Sequence, residues 1–253
     1  MKQVLILFFL IPLIRSAQVN AQSDSIALGK VLYTRNVDLP GTSTRYMNGR
    51  TTLLFNNEFS LFTHDDISKK DSSYVNESYV YSVSVYGDEE GFPIYKMHAK
   101  RQVLAKFACR ESRNHCIVKD TLGGIEWKLH HEHRLFGQYD CRRATGDFRG
   151  RAYEAWYTLE IPISSGPYKF GGLPGLILEI ASLDGVVKFS FAGLEISSRI
   201  DGLILPPSGT DLGKTFEEYK NEEDILIKNL IKNSEAQGFP MTISREPDIE
   251  LSW

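Results

Sequence analysis

The strongest constraint on this chain is a repeated alternation of apolar and polar residues with a period of two. Tyr79, Tyr81, Val83 and Val85 fall on one face of such a run, and Ile125, Trp127 and Leu129 on another. Tyr153, Ala155 and Tyr157 alternate with Glu154 and Trp156; Val187, Phe189 and Phe191 alternate with Lys188 and Ser190. A period of two places every second side chain on one side of a pleated strand, which marks half-buried strands. The runs are rich in β-branched and aromatic residues, as strands favour. Turn residues separate them. Asp184-Gly185 lies between the Leu176–Ile180 and Val186–Phe191 runs and reads as a hairpin. Short connections between successive strands predict antiparallel meanders rather than parallel crossover units.

One segment has a different period. Phe216, Tyr219, Ile227, Leu230 and Ile231 recur at helical spacing. Thr215 and Glu218 have the spacing of a capping box. The expectation is one amphipathic helix over about 215–233 that lays its apolar stripe on the sheet, after a Leu203–Gly209 linker. The predicted fold is mainly β: a strongly curved antiparallel sheet or half-barrel with one C-terminal helix, with a β-sandwich as the alternative.

The beginning of the chain has another use. Lys2 precedes an apolar run from Val4 to Ile14, and Val19-Asn20-Ala21 fits a small-x-small cleavage site. The run is too short to span a bilayer and reads as a secretory signal peptide over residues 1–21. The expected mature chain, 22–253, forms one domain with no transmembrane span, periplasmic or extracellular after processing. With 42% hydrophobic residues there is enough apolar surface for a core, which excludes wholesale disorder. Removing Lys2 and Arg15 with the leader takes 29 basic residues to 27 against 32 acidic ones, about −5. That balance offers no long-range attraction to phosphate backbones, so nucleic acid is not an expected partner.

Export makes a disulfide chemically permissible among Cys109, Cys116 and Cys141. Cys109 and Cys116 flank a polar stretch that a hairpin bridge could close. Pairing of Cys141 with one of them is the alternative.

Gly171-Gly172-Leu173-Pro174-Gly175-Leu176-Ile177 is the most unusual stretch. Glycines adopt backbone angles closed to other residues and permit close approach, and Pro174 fixes one angle. The segment reads as a packing device that sets the register of the strand beginning at Leu176. A ligand-contacting loop is the second reading. Residues 172–177 spell GLPGLI, and the flanks agree: Tyr139-Asp140-Cys141-Arg142-Arg143-Ala144-Thr145, Phe148-Arg149-Gly150-Arg151, Ala155-Trp156-Tyr157-Thr158, Glu160-Ile161-Pro162-Ile163 and Gly166-Pro167-Tyr168-Lys169-Phe170. The block from about Trp127 to Phe191 closely resembles the GLPGLI family. The resemblance implies an exported protein of Bacteroidetes-type bacteria and no assigned reaction.

Other constellations are weaker. His130-His131-Glu132-His133 would put His131 and His133 on one face of a strand, two ligands where a zinc site needs three or four. A solvated strand end is the simpler reading. Cys141, near Arg142 and Arg143, could be a stabilised thiolate or a buried structural cysteine. Gly213-Lys214-Thr215 lacks the earlier glycine of a phosphate loop, which would fall on Ser208, and reads as a helix entry. Arg149 and Arg151 are expected to pair with Glu154 and Glu160 on the surface. No catalytic set, cofactor or metal is expected. The functional expectation is a non-enzymatic envelope protein that binds a peptide, a lipid or a partner protein on its curved face. The alternatives are a metal-dependent hydrolase using His131 and His133, a thiol hydrolase using Cys141, and a structural component of an outer-membrane assembly.

Overall fold

The structure, a computed structural model, describes residues 28–37, 49–65, 90–108, 115–200 and 202–238. The leader, the Tyr79–Val85 run and Cys109 lie outside the described residues.

Twelve strands among the described residues form one sheet: β1 (Gly29–Val37), β2 (Gly49–Phe55), β3 (Phe59–His64), β4 (Ile94–Met97), β5 (Gln102–Ala108), β6 (His115–Thr121), β7 (Lys128–Phe136), β8 (Tyr139–Phe148), β9 (Arg151–Thr158), β10 (Leu176–Ser182), β11 (Val187–Ile196) and β12 (Thr210–Thr215). Their order is β12-β6-β5-β4-β3-β2-β1-β11-β10-β9-β8-β7. The sheet thus consists of two meanders joined where β1 pairs with β11, and it is not closed into a barrel. All pairings are antiparallel except that of β12 with β6.

Register explains the core. Val31, Leu53, Phe62, Ile94, Ala105 and Val118 stand opposite one another across β1 to β6, and all are buried. In the second meander the matching row is Phe189, Ile180, Ala155 and Ala144. The rows meet face to face: the rings of Phe62 and Phe189 are 5.9 Å apart. Phe170, in the β9–β10 connection, touches Phe148, Tyr153 and Phe189. Contacts between strands so far apart in the order require the sheet to curve around that connection. Each fully buried Leu, Ile or Phe in these rows contributes about 1.5–3 kcal/mol of transfer free energy.

A smaller cluster, Leu28, Tyr95, Ile200 and Ile204, packs with Leu54, Phe59, Leu61, Met97 and Leu104. Residues adjacent along β4 alternate between the two cores: Ile94 belongs to the first and Tyr95 to the second. The Leu203–Gly209 stretch, predicted as a linker, therefore covers part of the sheet through Ile204.

Two expectations need correction. Ile125 and Trp127 are not in a strand, because β7 starts at Lys128. They lie instead against Gly146, where an added Cβ would come within 2.7 Å of Ile125 Cγ2 and 3.1 Å of Trp127 Cε3. Their period of two predicts a ladder, but they fill the space left by a missing side chain. The helix, α1 (Phe216–Ala236), forms with Thr215 as N-cap and the full capping box. Only the start of its apolar stripe, Phe216 and Tyr219, lies on the sheet. Among its residues only Phe216 is buried, with Phe107 packed against Phe216 and Tyr219. The reason is topological: α1 follows the edge strand β12, so only its first turns reach the sheet.

Candidate functional site

The next row of the first meander is polar where a core row should be apolar. Gly29, Phe55, Ser60, Lys96, Val103 and Asp120 stand opposite one another across β1 to β6. Ser60 and Lys96 are fully buried. The β9–β10 connection, residues 159–175, supplies their partners. Lys96 Nζ donates to Ser165 Oγ (3.3 Å), to the Gly166 carbonyl (2.5 Å) and to the Phe170 carbonyl (3.2 Å). Ser60 and Ser165 share a hydroxyl hydrogen bond of 2.8 Å, and His98 Nε2 lies 3.1 Å from Ser60 Oγ. Three acceptors match the three N–H bonds of an ammonium group. No carboxylate is among them, and burial pushes the Lys96 pKa well below the usual lysine range. Burial, with Lys96 close by, brings His98 down to about 4 against the pull of its hydrogen bond to the Asn57 carbonyl.

The far end of the row anchors the same connection by charge. Asp120 lies 2.7 Å from Lys169 Nζ and 2.5 Å from Arg149, at the β8–β9 turn. Burial alone would raise the Asp120 pKa, but the charge of Lys169 and the Arg149 hydrogen bond outweigh it and hold the carboxyl low. Lys169 Nζ also sits 3.1 Å from the centre of the Phe216 ring, a cation–π contact. Sheet, connection and the start of α1 meet there.

The Gly/Pro motif completes the connection. Trp127 Nε1 donates to the Gly171 carbonyl at 2.9 Å, and Gly171 makes a bridge with Ser165. Gly172 has φ +90°, a conformation that glycine adopts without cost. Leu173, Leu176 and Ile177 are buried in the core, and Pro174 is exposed. A Cβ on Gly175 would lie 2.0 Å from the Thr158 carbonyl oxygen. The Leu176 amide donates to the Ile161 carbonyl, the Ile177 amide donates to the Ser165 carbonyl, and Tyr33 Oη donates to the Ile177 carbonyl at 2.6 Å. The inner face expected to hold a ligand is thus occupied by the chain's own connection.

The remaining sequence candidates are dispersed. His133 Nδ1 is 2.9 Å from Asp140, His130 Nε2 is 2.8 Å from Thr145 Oγ1, and His131 is exposed. β7 is bulged between Leu129 and His133. Among the described residues no group of three or more His, Cys, Asp or Glu could hold a metal ion. Cys141 is free and fully buried. Burial, then the charges of Asp140 and Glu160, pushes its thiol up to about 12, opposite to what a nucleophile needs. Cys116 is disulfide-bonded. Lys214 pairs with Glu222 and Thr215 caps α1. The ion pairs also differ from the expected ones: Arg149 meets Asp120, Arg151 meets Asp184, and Glu154 meets Arg143. Pairing of β8 with β9 sets Arg143 beside Glu154, and contacts between segments distant in the chain set Asp120 beside Arg149 and Asp184 beside Arg151.

Comparison with known proteins agrees with this picture of the fold. A family model described as "Protein of unknown function (Porph_ging)" matches residues 149–179, from the β8–β9 turn through the connection into β10. No curated protein matches the chain. Two solved structures of PNGF-II, in space groups P21 and C2, are similar at 17% identity with TM-scores of 0.52 and 0.51. Each alignment covers 77% of this chain and 32% of that one, so this chain spans about a third of the length of PNGF-II. At that identity the likeness is one of fold.

Proposed function

We propose that this is an exported, non-enzymatic envelope protein of the GLPGLI type that acts by binding a partner protein, with α1 as its contact surface. The exposed flank of α1 carries the reading. A helix of this length gains most of its stability from packing an apolar face, yet Leu226 and Leu230, one turn apart on it, are 43% and 44% exposed. The filled inner face moves the contact surface from the concavity to this helix. Lys96, Ser60 and Ser165, the groups with chemistry to offer, are closed off from solvent, and the Cys141 thiol is held in its unreactive form. The leader-like start supports export to the periplasm or beyond. Among the described residues no helix is long and apolar enough to cross a membrane. Pairing of Cys109 with Cys116 belongs to the same proposal, since Cys141 is free.

The test is in-cell crosslinking of the protein in its own envelope, followed by mass spectrometry, with Leu226→Asp/Leu230→Asp as the comparison. A crosslinked species that disappears in the variant supports the reading. Bare protein, or the same crosslinks in both, overturns it.

A further inference from the structure

We infer that Lys96, Ser165, Ser60 and His98 form a one-proton relay: the hydrogen bonds between them bind a single excess proton, which enters from solvent at His98 and belongs to the four groups together. The inference goes beyond the proposed function and does not depend on what α1 contacts.

Hydrogens can be counted against contacts along this chain. Lys96 Nζ faces the Gly166 carbonyl, the Phe170 carbonyl and Ser165 Oγ at 2.5, 3.2 and 3.3 Å. Ser165 Oγ faces Ser60 Oγ at 2.8 Å, Ser60 Oγ faces His98 Nε2 at 3.1 Å, and His98 Nδ1 faces the Asn57 carbonyl at 3.3 Å. Each of these six contacts needs one hydrogen, and the three carbonyls can only accept. Neutral Lys96 brings two N–H bonds, each serine one O–H and neutral His98 one N–H, which is five hydrogens for the six contacts. One added proton closes the count. A second would leave a hydrogen with no acceptor. Lys96, Ser60 and Ser165 are fully buried, so solvent does not make up the difference.

Two arrangements satisfy every contact. With the proton on Lys96, hydrogen bonds run from Lys96 through Ser165 and Ser60 to His98 Nε2, and His98 keeps its own hydrogen on Nδ1 toward Asn57. With the proton on His98, they run from His98 Nε2 through Ser60 and Ser165 to the bare Lys96 nitrogen. One hydrogen crossing each of three contacts converts the first into the second: Lys96 Nζ gives to Ser165 Oγ, Ser165 to Ser60, and Ser60 to His98 Nε2. Each serine gains a proton as it loses one. His98 is half-buried where the other three are buried, which makes it the mouth of the relay. The amine is the stronger base, so the proton rests on Lys96. Burial opposes it there and, with Lys96 close by, holds His98 low as well. Neighbouring charges are taken or outside. Asp120 faces the same row from β6, beyond Val103, and is engaged by Lys169 of the connection and Arg149 of the β8–β9 turn; Glu58, ahead of β3, is exposed.

The decisive experiment is nitrogen NMR of the isotope-labelled, processed protein, titrated from about pH 5 to about pH 10. At about pH 6 the expected spectrum shows Lys96 Nζ as an ammonium group and His98 with its hydrogen on Nδ1. Raising the pH should remove one proton in a single step, reported by the Lys96 and His98 nitrogens with the same midpoint. Ser60→Ala cuts the chain. The contacts left to Lys96 then need no excess proton, because the Ser165 hydroxyl can donate to its nitrogen. The Lys96 midpoint should fall by about one unit, tenfold in proton affinity, and His98 should no longer follow it. Ser165→Ala removes a different link with the same expected shift, so either variant serves if the other fails to fold, and the parent spectrum decides by itself. Serines that only fill space would leave the midpoint in place. A neutral Lys96 amine at about pH 6, a hydrogen on His98 Nε2 in place of Nδ1, or a Lys96 midpoint unmoved in the folded serine variants overturns the inference.

Discussion

Replacing Gly175 by Ala tests whether the motif is a packing element. The added Cβ would lie 2.0 Å from the Thr158 carbonyl oxygen, 2.8 Å from its carbon and 3.3 Å from Leu159 Cα. All three are backbone atoms at the end of β9, and Leu176 is registered opposite Thr158. No side chain can swing away, so β9 and β10 must separate by about 1 Å or more to restore a van der Waals distance. Overpacking of this kind costs about 1–3 kcal/mol, occasionally more, and a backbone clash belongs at the upper end. At about 2–4 °C per kcal/mol for a chain of this size, the melting temperature should fall by roughly 6–12 °C. Gly185→Ala is the control. Gly185 has φ +76° with nothing within 4 Å, so it carries only the backbone strain of about 1–2 kcal/mol. Calorimetry of the two variants beside the parent protein separates clash from strain. Gly175→Ala melting within about 1 °C of the parent, or above Gly185→Ala, would refute the packing argument.

Lys96→Met should destabilise by about 1–4 kcal/mol, measured by urea unfolding, because it strands the Gly166 and Phe170 carbonyls in a dry core while returning the cost of burying an amine. Acid should also weaken the fold. Burial, then Arg35, brings His64 down to about 3, and His98 is at about 4, against about 6.5 in an unfolded chain. Both are neutral when folded, so the unfolded state binds more protons below about pH 6.5 and stability is lost as pH falls from there toward 4. His98→Gln should flatten the upper part of that slope in urea midpoints measured against pH. Cys141 should react with a thiol reagent only as fast as the protein unfolds; rapid labelling at neutral pH would contradict its burial.

Strands were readable where one face is apolar and the other polar, as in Tyr153, Ala155 and Tyr157, which are all buried in β9. The helix start was readable because Thr215 and Glu218 interact across three residues. Lys96 was not readable. It looks like a surface lysine between Tyr95 and Met97, and the groups that accept from it are in residues 165–170, brought near only by curvature. The same applies to Asp120 with Arg149 and Lys169. Local spacing also misled: Ile125 and Trp127 alternate like a strand but pack on Gly146, and the α1 stripe meets the sheet only at Phe216 and Tyr219 because an edge strand precedes it. The Gly/Pro stretch announced a tight turn, while the reason for Gly175 lies in Thr158 on the neighbouring strand.

Residues 163–177 are held on the inner face of the sheet by Lys96, Ser60 and Asp120, and amide hydrogen exchange reads that directly. The account predicts that the Phe170, Leu176 and Ile177 amides, which donate to the Pro167, Ile161 and Ser165 carbonyls, exchange as slowly as those of Val31 and Leu53 in the core strands, through global unfolding. Exchange of these amides orders of magnitude faster than that of the core strands would show a connection that opens on its own and would contradict it.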